Sequence, residues 1–228
     1  MSRETLERNI KELQDDVLIL GSMVEQATLD SVDALKRRDI DAARRIYAGD
    51  ELINEKRFEI ETQCLIVIAS QQPMATDLRI LAAIFEIITE LERMGDYAKG
   101  IARINILMGD EPLVKPLVDL PRMAEITVDM LHRALQAFVV IDEVSARKIY
   151  KDDDQVDELY NRVYKDLMNL MISDPNLVDR ANYLLWAAHN LERFADRVTN
   201  ICERTIFVAT GELKELDPSD DELNLPNA

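Results

Sequence analysis

The sequence predicts an all-α protein made of two tandem three-helix bundles, with six long antiparallel helices that derive from an internal duplication. Three observations predict this fold class. The 228 residues include only 6 glycines and 5% aromatic residues, which is typical of helical proteins. Apolar residues recur at spacings of three and four over stretches of about 30 residues. A short acidic signature, LERMGD at 91–96 and LERFAD at 191–196, occurs twice.

The first three helices are predicted from apolar stripes and from the turns between them. Residues 5–36 carry one narrow stripe that repeats about every 3.5 residues, which indicates the seam of a bundle. Either Asp39 or Asp41 is the expected N-cap of a second helix that extends to about residue 70. Pro73 ends that helix and begins a third helix over 74–108, because the residue before proline avoids the helical region.

A second set of three helices follows a proline-containing linker. We predict helices over 122–140, 143–172 and 176–210, with Asp142 as an N-cap and Gly211 as a C-cap. The expected domains are a first bundle over 1–109, a linker over 110–121, a second bundle over 122–211, and a flexible acidic tail over 212–228. We call the two bundles half one and half two.

Matched motifs in the same order support the duplication. ARRIY at 43–47 matches ARKIY at 146–150. Asp50 and Asn54 then correspond to Asp153 and Asp157, and the two acidic signatures follow in both halves. The halves are therefore copies of one three-helix design.

Composition excludes several classes of protein. The net charge of −17 disfavours binding to nucleic acid. The N-terminus lacks the apolar segment of a signal peptide, and no window of 18 residues is wholly apolar, so we expect a cytoplasmic chain. Cys64 and Cys202 lie in apolar helical stretches and are expected to be buried, reduced thiols. Trp186 and Phe194 are expected to pack in the core.

The repeated signature places two carboxylates one helical turn apart on the same face of a helix, where they repel each other. If consecutive helices are antiparallel neighbours, acidic residues of the preceding helix face each pair. The sequence therefore predicts two clusters of oxygen ligands that suit a hard metal ion. Cluster one comprises Asp50, Asn54, Glu92 and Asp96, with Glu51 or Glu55 as a further candidate. Cluster two comprises Asp153, Asp157, Glu192 and Asp196, with Asp154 or Glu158 as a further candidate.

Two interpretations of these clusters stay open at the level of spacing. A metal ion can offset the repulsion between the carboxylates, or nearby basic side chains can do so through surface salt bridges. The basic residues in reach along the same helices are Lys99, Arg103, Arg193, Arg197 and Arg204.

An enzyme has little support in the sequence. Carboxylate-bridged di-iron oxidases use Glu-x-x-His motifs, whereas this chain has only His132 and His189, and His189 precedes Glu192 in the reverse order. No phosphate-binding glycine loop or nucleophile motif is present in the sequence. We therefore expect a non-enzymatic protein, with a di-metal oxidase and a purely structural helical scaffold as alternatives.

The motif QPMATDLR at 72–79, followed by LERMGD at 91–96 and LERFAD at 191–196, resembles the PhoU family of phosphate-uptake regulators. The resemblance implies a cytoplasmic, metal-binding homodimer that joins the ATPase subunit of an ABC phosphate transporter to a sensor histidine kinase. Such a protein is a negative regulator of phosphate transport and is peripheral to the membrane through its partners only. As an alternative within the family, the chain could be an accessory protein of a different phosphate permease.

The resemblance also implies that the eight residues of the two clusters are metal ligands, for iron, manganese, zinc or magnesium. Two departures from the family pattern stand out. Half two has Phe194 and Ala195 where Ile-Gly is usual, and half one has Asn54 where half two has Asp157. The second departure leaves cluster one with less negative charge and predicts weaker metal binding there.

Overall fold

The computed structural model describes residues 3–214 and residue 216, and within these residues every regular element is a helix. Of the predicted tail over 212–228, residues 215 and 217–228 lie outside the described residues. The helices are α1 Arg3–Arg37, α2 Ile40–Gln71, α3 Thr76–Met108, α4 Asp119–Val140, α5 Glu143–Tyr150, α6 Asp153–Ser173 and α7 Val178–Thr210, with a 3₁₀ turn at Pro175–Leu177. The all-α class is confirmed, and so is the arrangement of six helices, the fifth of which is divided into α5 and α6.

Each half is a three-helix bundle, and the two bundles share one core. In half one α1, α2 and α3 pack against one another, and in half two α7 packs against α4, α5 and α6. The halves meet where α3 packs on α7 and α1 packs on α4. The apolar stripes continue through this interface as a single hydrophobic cluster. Burial of these stripes supplies the main driving force for folding.

Close approach of the halves requires a small residue in α1. A Cβ atom at Gly21 would lie 2.2 Å from Leu135 Cδ1 of α4. Leu135 is buried, so it has little space to move. Gly21 lowers helix propensity at this position and allows α1 to contact α4.

The turn between α1 and α2 is held against the end of α3. Asp39 is the N-cap, as predicted, and its carboxylate accepts a hydrogen bond of 2.8 Å from the amide of Ala42. The buried Asn105 amide donates to the carbonyls of Ala34 and Asp39 at 3.0 and 3.2 Å. Arg38 donates to the Asn105 side chain and to the carbonyl of Gly109. These bonds fix the register of α1, α2 and α3.

The prediction of one unbroken helix over 143–172 is wrong. The amides of Lys151 and Asp152 bond to carbonyls three residues earlier, which closes α5 with a tight turn. Arg133 of α4 donates to the Asp152 carboxylate at 2.7 Å and holds this turn against half two. Consequently Asp153 becomes the first residue of α6, where the helix terminus favours negative charge.

Two other boundaries bear on the predictions. α4 begins at Asp119 rather than at 122, because Pro121 is tolerated in the first turn of a helix. Gly211 is the C-cap of α7, as predicted, with φ +80° and an amide bonded to the carbonyl of Phe207 at 2.8 Å. Among the described residues, none of the helices combines the length and apolar character needed to span a membrane.

Candidate functional site

Cluster one lies between α2 and α3, where a glycine lets the two helices come close. A Cβ atom at Gly95 would lie 3.1 Å from Ile53 and 3.6 Å from the Asp50 carboxylate. Asp50 is only 5% exposed, and it accepts hydrogen bonds from Lys99 Nζ at 2.6 Å and Asn54 Nδ2 at 3.1 Å. A lysine of the neighbouring helix therefore neutralises the most buried carboxylate of half one.

Glu92 and Asp96 border this buried pair on the solvent side. Burial raises the pKa of Glu92, and the carboxylates of Asp96 and Asp50 raise it further. Burial is the main cause that raises the pKa of Asp96, and the charge of Asp50 is the next. Lys99, whose Nζ atom lies 3.9 Å from Asp96 Oδ1, opposes this rise. The structure therefore places the four residues of cluster one side by side. The pKa values of Glu92 and Asp96 stay raised although Lys99 lies beside Asp50 and Asp96.

Cluster two lies between α6 and α7. The pKa of Asp153 is raised to about 7, and burial is the largest cause. The negative charges of Asp157, Asp196 and Glu192 contribute to the same rise, in decreasing order. Burial and the charge of Asp196 likewise raise the pKa of Glu192. The four carboxylates therefore lie near enough to influence one another's charge, although in the described part of the chain no three of them meet at a single point.

Two oxygen atoms of cluster two are buried and lack a hydrogen bond. They are Asp153 Oδ1 and Glu192 Oε2, neither of which accepts a hydrogen bond from the described residues, although His189 Nδ1 lies 3.0 Å from Glu192 Oε2. Buried oxygens of this kind are costly, and a bound cation or water removes the cost. A ligand that bridges α6 and α7 here would satisfy both atoms.

His189 is the nitrogen donor nearest to cluster two. Its Nδ1 atom lies 3.0 Å from Glu192 Oε2, although the two atoms are not aligned as a hydrogen bond. A protonated imidazole would lower the pKa of Glu192, yet burial and neighbouring carboxylates outweigh it. Tyr160 borders His189, with ring centroids 6.1 Å apart. One histidine at the edge of four carboxylates is a mainly oxygen-based ligand set.

The two clusters differ in their basic neighbours. Glu92 and Glu192 are 100 residues apart, and the same offset aligns Lys99 with Thr199. Asp50 and Asp153 are 103 residues apart, and that offset aligns Arg57 with Tyr160. Arg57 lowers the pKa of Glu92 in half one. Lys99 and Arg57 of half one therefore have neutral counterparts in half two, whereas Arg93 corresponds to Arg193. Sequence analysis missed this asymmetry, although comparison of the repeats position by position contains the signal.

The ligand chemistry of the two clusters can be tested against a metal ion. Across the part of the chain that the structure describes, no three His, Cys, Asp or Glu side chains converge closely enough to hold one. The oxygen donors of cluster two fit a hard cation in type and charge, but they do not converge on one point in this structure. Cluster one fits less well, because a metal there must compete with Lys99 for Asp50.

Three predictions outside the clusters have clear outcomes. Phe194 is fully buried, and Cys64 and Cys202 are buried and reduced, as predicted. The prediction for Trp186 is wrong, because its side chain is 53% exposed and contacts Tyr183 edge-on at a centroid distance of 6.3 Å. No helix of half one or half two covers that position of α7.

Comparison with known proteins identifies the family. The model of the PhoU domain matches residues 17–104 and 120–205, one match in each half. The phosphate-specific transport system accessory protein PhoU homolog of Aquifex aeolicus is 35% identical over 206 residues, which cover 90% of this chain and 93% of the relative. The accessory protein PhoU of Escherichia coli is 34% identical over 203 residues, covering 89% and 84%.

Solved structures agree with the sequence relatives. The phosphate transport system regulatory protein PhoU of Streptococcus pneumoniae superposes with a TM-score of 0.86 at 31% identity, covering 92% of this chain and 100% of that one. PhoU of Pseudomonas aeruginosa superposes with a TM-score of 0.85 at 29% identity, covering 90% and 99%. The duplicated acidic signature, the paired bundles and these likenesses lead to one conclusion: the chain belongs to the PhoU family.

Proposed function

We propose that this chain is an accessory regulator of a phosphate transport system. Its likeness to phosphate transport accessory and regulatory proteins over nearly the whole chain is the observation that carries this proposal. In the finer proposal, it is a cytoplasmic homodimer that joins the ATPase subunit of an ABC phosphate transporter to a sensor histidine kinase. It restrains phosphate uptake and starvation signalling and has no catalytic role.

Metal binding is the chemical part of the proposal, and cluster two is its principal site. The buried oxygens of Asp153 and Glu192, which lack a hydrogen bond, support this choice, as does the raised pKa of each group. Asp153 and Asp157 would bind from α6, and Glu192 and Asp196 from α7. The ion would supply positive charge that holds these helices together. Oxygen ligands favour magnesium, manganese or iron over zinc.

In cluster one, Lys99 provides part of the charge that a metal would provide. Binding by Asp50, Asn54, Glu92 and Asp96 stays a prediction, with lower affinity than in cluster two. Displacement of the Lys99 ammonium from Asp50, which it contacts at 2.6 Å, lowers the net gain from metal binding. We infer that the duplicated halves have separate roles, a metal site in half two and a lysine-neutralised site in half one.

Gene deletion and complementation test the regulatory proposal. In the source organism, we expect deletion to switch on a phosphate-starvation reporter in phosphate-rich medium, and we expect the intact gene to restore repression. Affinity purification from cells grown with and without phosphate should recover the transporter ATPase subunit or the sensor kinase. A deletion strain with normal reporter response and normal phosphate uptake would contradict the proposal.

A di-metal oxidase is the second candidate, and the contact of His189 with Glu192 is the observation that favours it. Half one has Thr89 at the equivalent position, so a histidine-containing pair is missing there. Iron-loaded protein that consumes oxygen, with the activity lost in His189→Ala, would establish this candidate. We expect no oxygen consumption above that of free iron.

A further inference from the structure

A groove of about 740 Å³ lies on the surface of half one, along α1 and α2. Leu18–Asp30 of α1 and Ile46–Ile53 of α2 form its walls, and Gly95 and Lys99 of α3 form part of its floor. At 1.5 Å per residue the α1 wall is roughly 18 Å long, which matches about three turns of a helix. The groove is therefore long enough for a helical segment of another chain.

The walls of the groove expose apolar side chains to solvent. Ile19 on α1 is 52% exposed, and Leu52 on α2 is 59% exposed. Met23, one helical turn after Ile19, also lines the groove, and its flexible thioether can adapt to different partners. Gly49 adds space, because a Cβ atom there would meet no atom within 4 Å. Apolar surface of this kind in a groove indicates an interaction site.

The charges around the groove favour a basic partner. Asp30 lies exposed at one end of the groove, where its carboxylate accepts a hydrogen bond of 2.9 Å from the uncharged amide of Gln26. Lys99 is the basic residue of the lining, and its ammonium is bonded to Asp50. The whole chain carries a net charge of −17, which disfavours an acidic partner at this groove.

We propose that this groove is the docking site for an amphipathic helix of a partner protein that carries lysine or arginine beside its apolar face. The apolar face would cover Ile19, Met23 and Leu52, and the basic side chains would face Asp30 and the acidic surface around it. This inference rests on the proposed adaptor function, and it identifies where in half one a transport or signalling partner binds.

Binding of designed peptides to the full chain tests the docking site. The probe is a fluorescent helical peptide of about 14 residues, long enough for three to four turns, with leucine on one face and lysine on the other. The matched peptide has glutamate in place of lysine. We expect the lysine peptide to bind at physiological salt and the glutamate peptide not to bind. Equal binding of the two peptides would overturn the charge assignment.

A pair of neighbouring substitutions separates the groove from the rest of the acidic surface. Gly49→Leu fills the groove with a residue that favours helix, whereas Ala48→Leu adds the same side chain at an exposed position outside the lining. We expect Gly49→Leu to lower the affinity for the lysine peptide by about tenfold or more, as loss of a central contact does. We expect Ala48→Leu to leave that affinity unchanged. Equal affinity in both variants would overturn the proposal.

Two further results distinguish this inference from the proposed function. If Gly49→Leu abolishes a self-association that sedimentation velocity detects in the wild type, the occupant is a second copy, and the proposal is overturned. In cells, we expect Gly49→Leu to lose repression of the phosphate reporter and Ala48→Leu to retain it. Repression retained by Gly49→Leu but lost on deletion overturns the docking site alone, whereas repression that survives deletion overturns the proposed function.

Discussion

The raised pKa of Asp153 predicts a specific dependence of stability on pH. The folded chain holds this carboxyl at a pKa of about 7, against 3.8 for an ordinary aspartate. Between these values the unfolded chain releases its proton first, so the folded chain binds more protons and loses stability as pH rises. At about 1.36 kcal/mol per pH unit, the full effect is roughly 4 kcal/mol. Partial solvent exposure and the N-terminus of α6 both reduce it, so we expect about 2 kcal/mol.

Asp153→Asn removes this dependence because an amide does not ionise. In the presence of EDTA, we expect the variant to exceed the wild type in free energy of unfolding by less than about 1 kcal/mol at pH 5 and by about 2 kcal/mol at pH 8. Urea denaturation followed by circular dichroism at 222 nm measures both values. Asp179→Asn is the matched control, since Asp179 is an exposed aspartate in the first turn of α7.

Added metal should reverse the order of the two proteins. At a metal concentration about 100 times the dissociation constant, binding stabilises the wild type by about 2.7 kcal/mol. The Asp153→Asn variant has lost one ligand and should gain less. A difference in stability between wild type and variant that stays constant from pH 5 to pH 8, with or without metal, would refute the assignment of Asp153 to a crowded acidic cluster.

Three further predictions concern other parts of the chain. Lys99→Met leaves the buried Asp50 carboxylate without its ion pair, and we expect urea denaturation to show a loss of roughly 1–3 kcal/mol. Arg38→Ala removes the hydrogen bonds that hold the first turn to the end of α3, and we expect a similar loss of roughly 1–3 kcal/mol by the same assay. Burial raises the pKa of both Cys64 and Cys202 to about 12, so at pH 8 we expect a thiol reagent such as DTNB to react with neither until the chain is unfolded in urea.

Exposed residues at the end of α1 provide the controls for the first two predictions. Lys36→Met and Arg37→Ala alter exposed side chains of the last turn of α1 and should change stability by less than about 0.5 kcal/mol. A loss for Lys99→Met or Arg38→Ala that is no larger than in these controls would contradict the role given to each residue. Rapid labelling of either cysteine in folded protein would contradict its burial.

Periodicity and repeat matching predicted the helices and placed the residues of each cluster on two neighbouring helices, while the role of these residues as ligands stays a prediction. Asp50 occupies a position in the apolar stripe of α2, and it is buried as that position requires. Local features also predicted the caps at Asp39 and Gly211, because each depends on a few adjacent residues. These successes share a cause: the signals are contained within one helix or one turn.

Features that depend on contacts between helices could not be predicted in the same way. The break between α5 and α6 occurs in a segment without glycine or proline, and Arg133 of another helix stabilises it through Asp152. The choice of Asp50 as the partner of Lys99 depends on the register of α2 against α3. Trp186 is exposed because no helix covers its face of α7, which helical spacing alone does not reveal.

Metal analysis of matched double variants tests the central claim most directly. The claim is that cluster two holds a metal ion and that Lys99 partly replaces one in cluster one. The wild type, Glu92→Ala with Asp96→Ala, and Glu192→Ala with Asp196→Ala are purified without chelators, and their metal content per chain is measured by elemental analysis. We expect the half-two variant to lose most of the bound metal and the half-one variant to retain most of it. Metal at background in the wild type, or equal losses in the two variants, would contradict the claim.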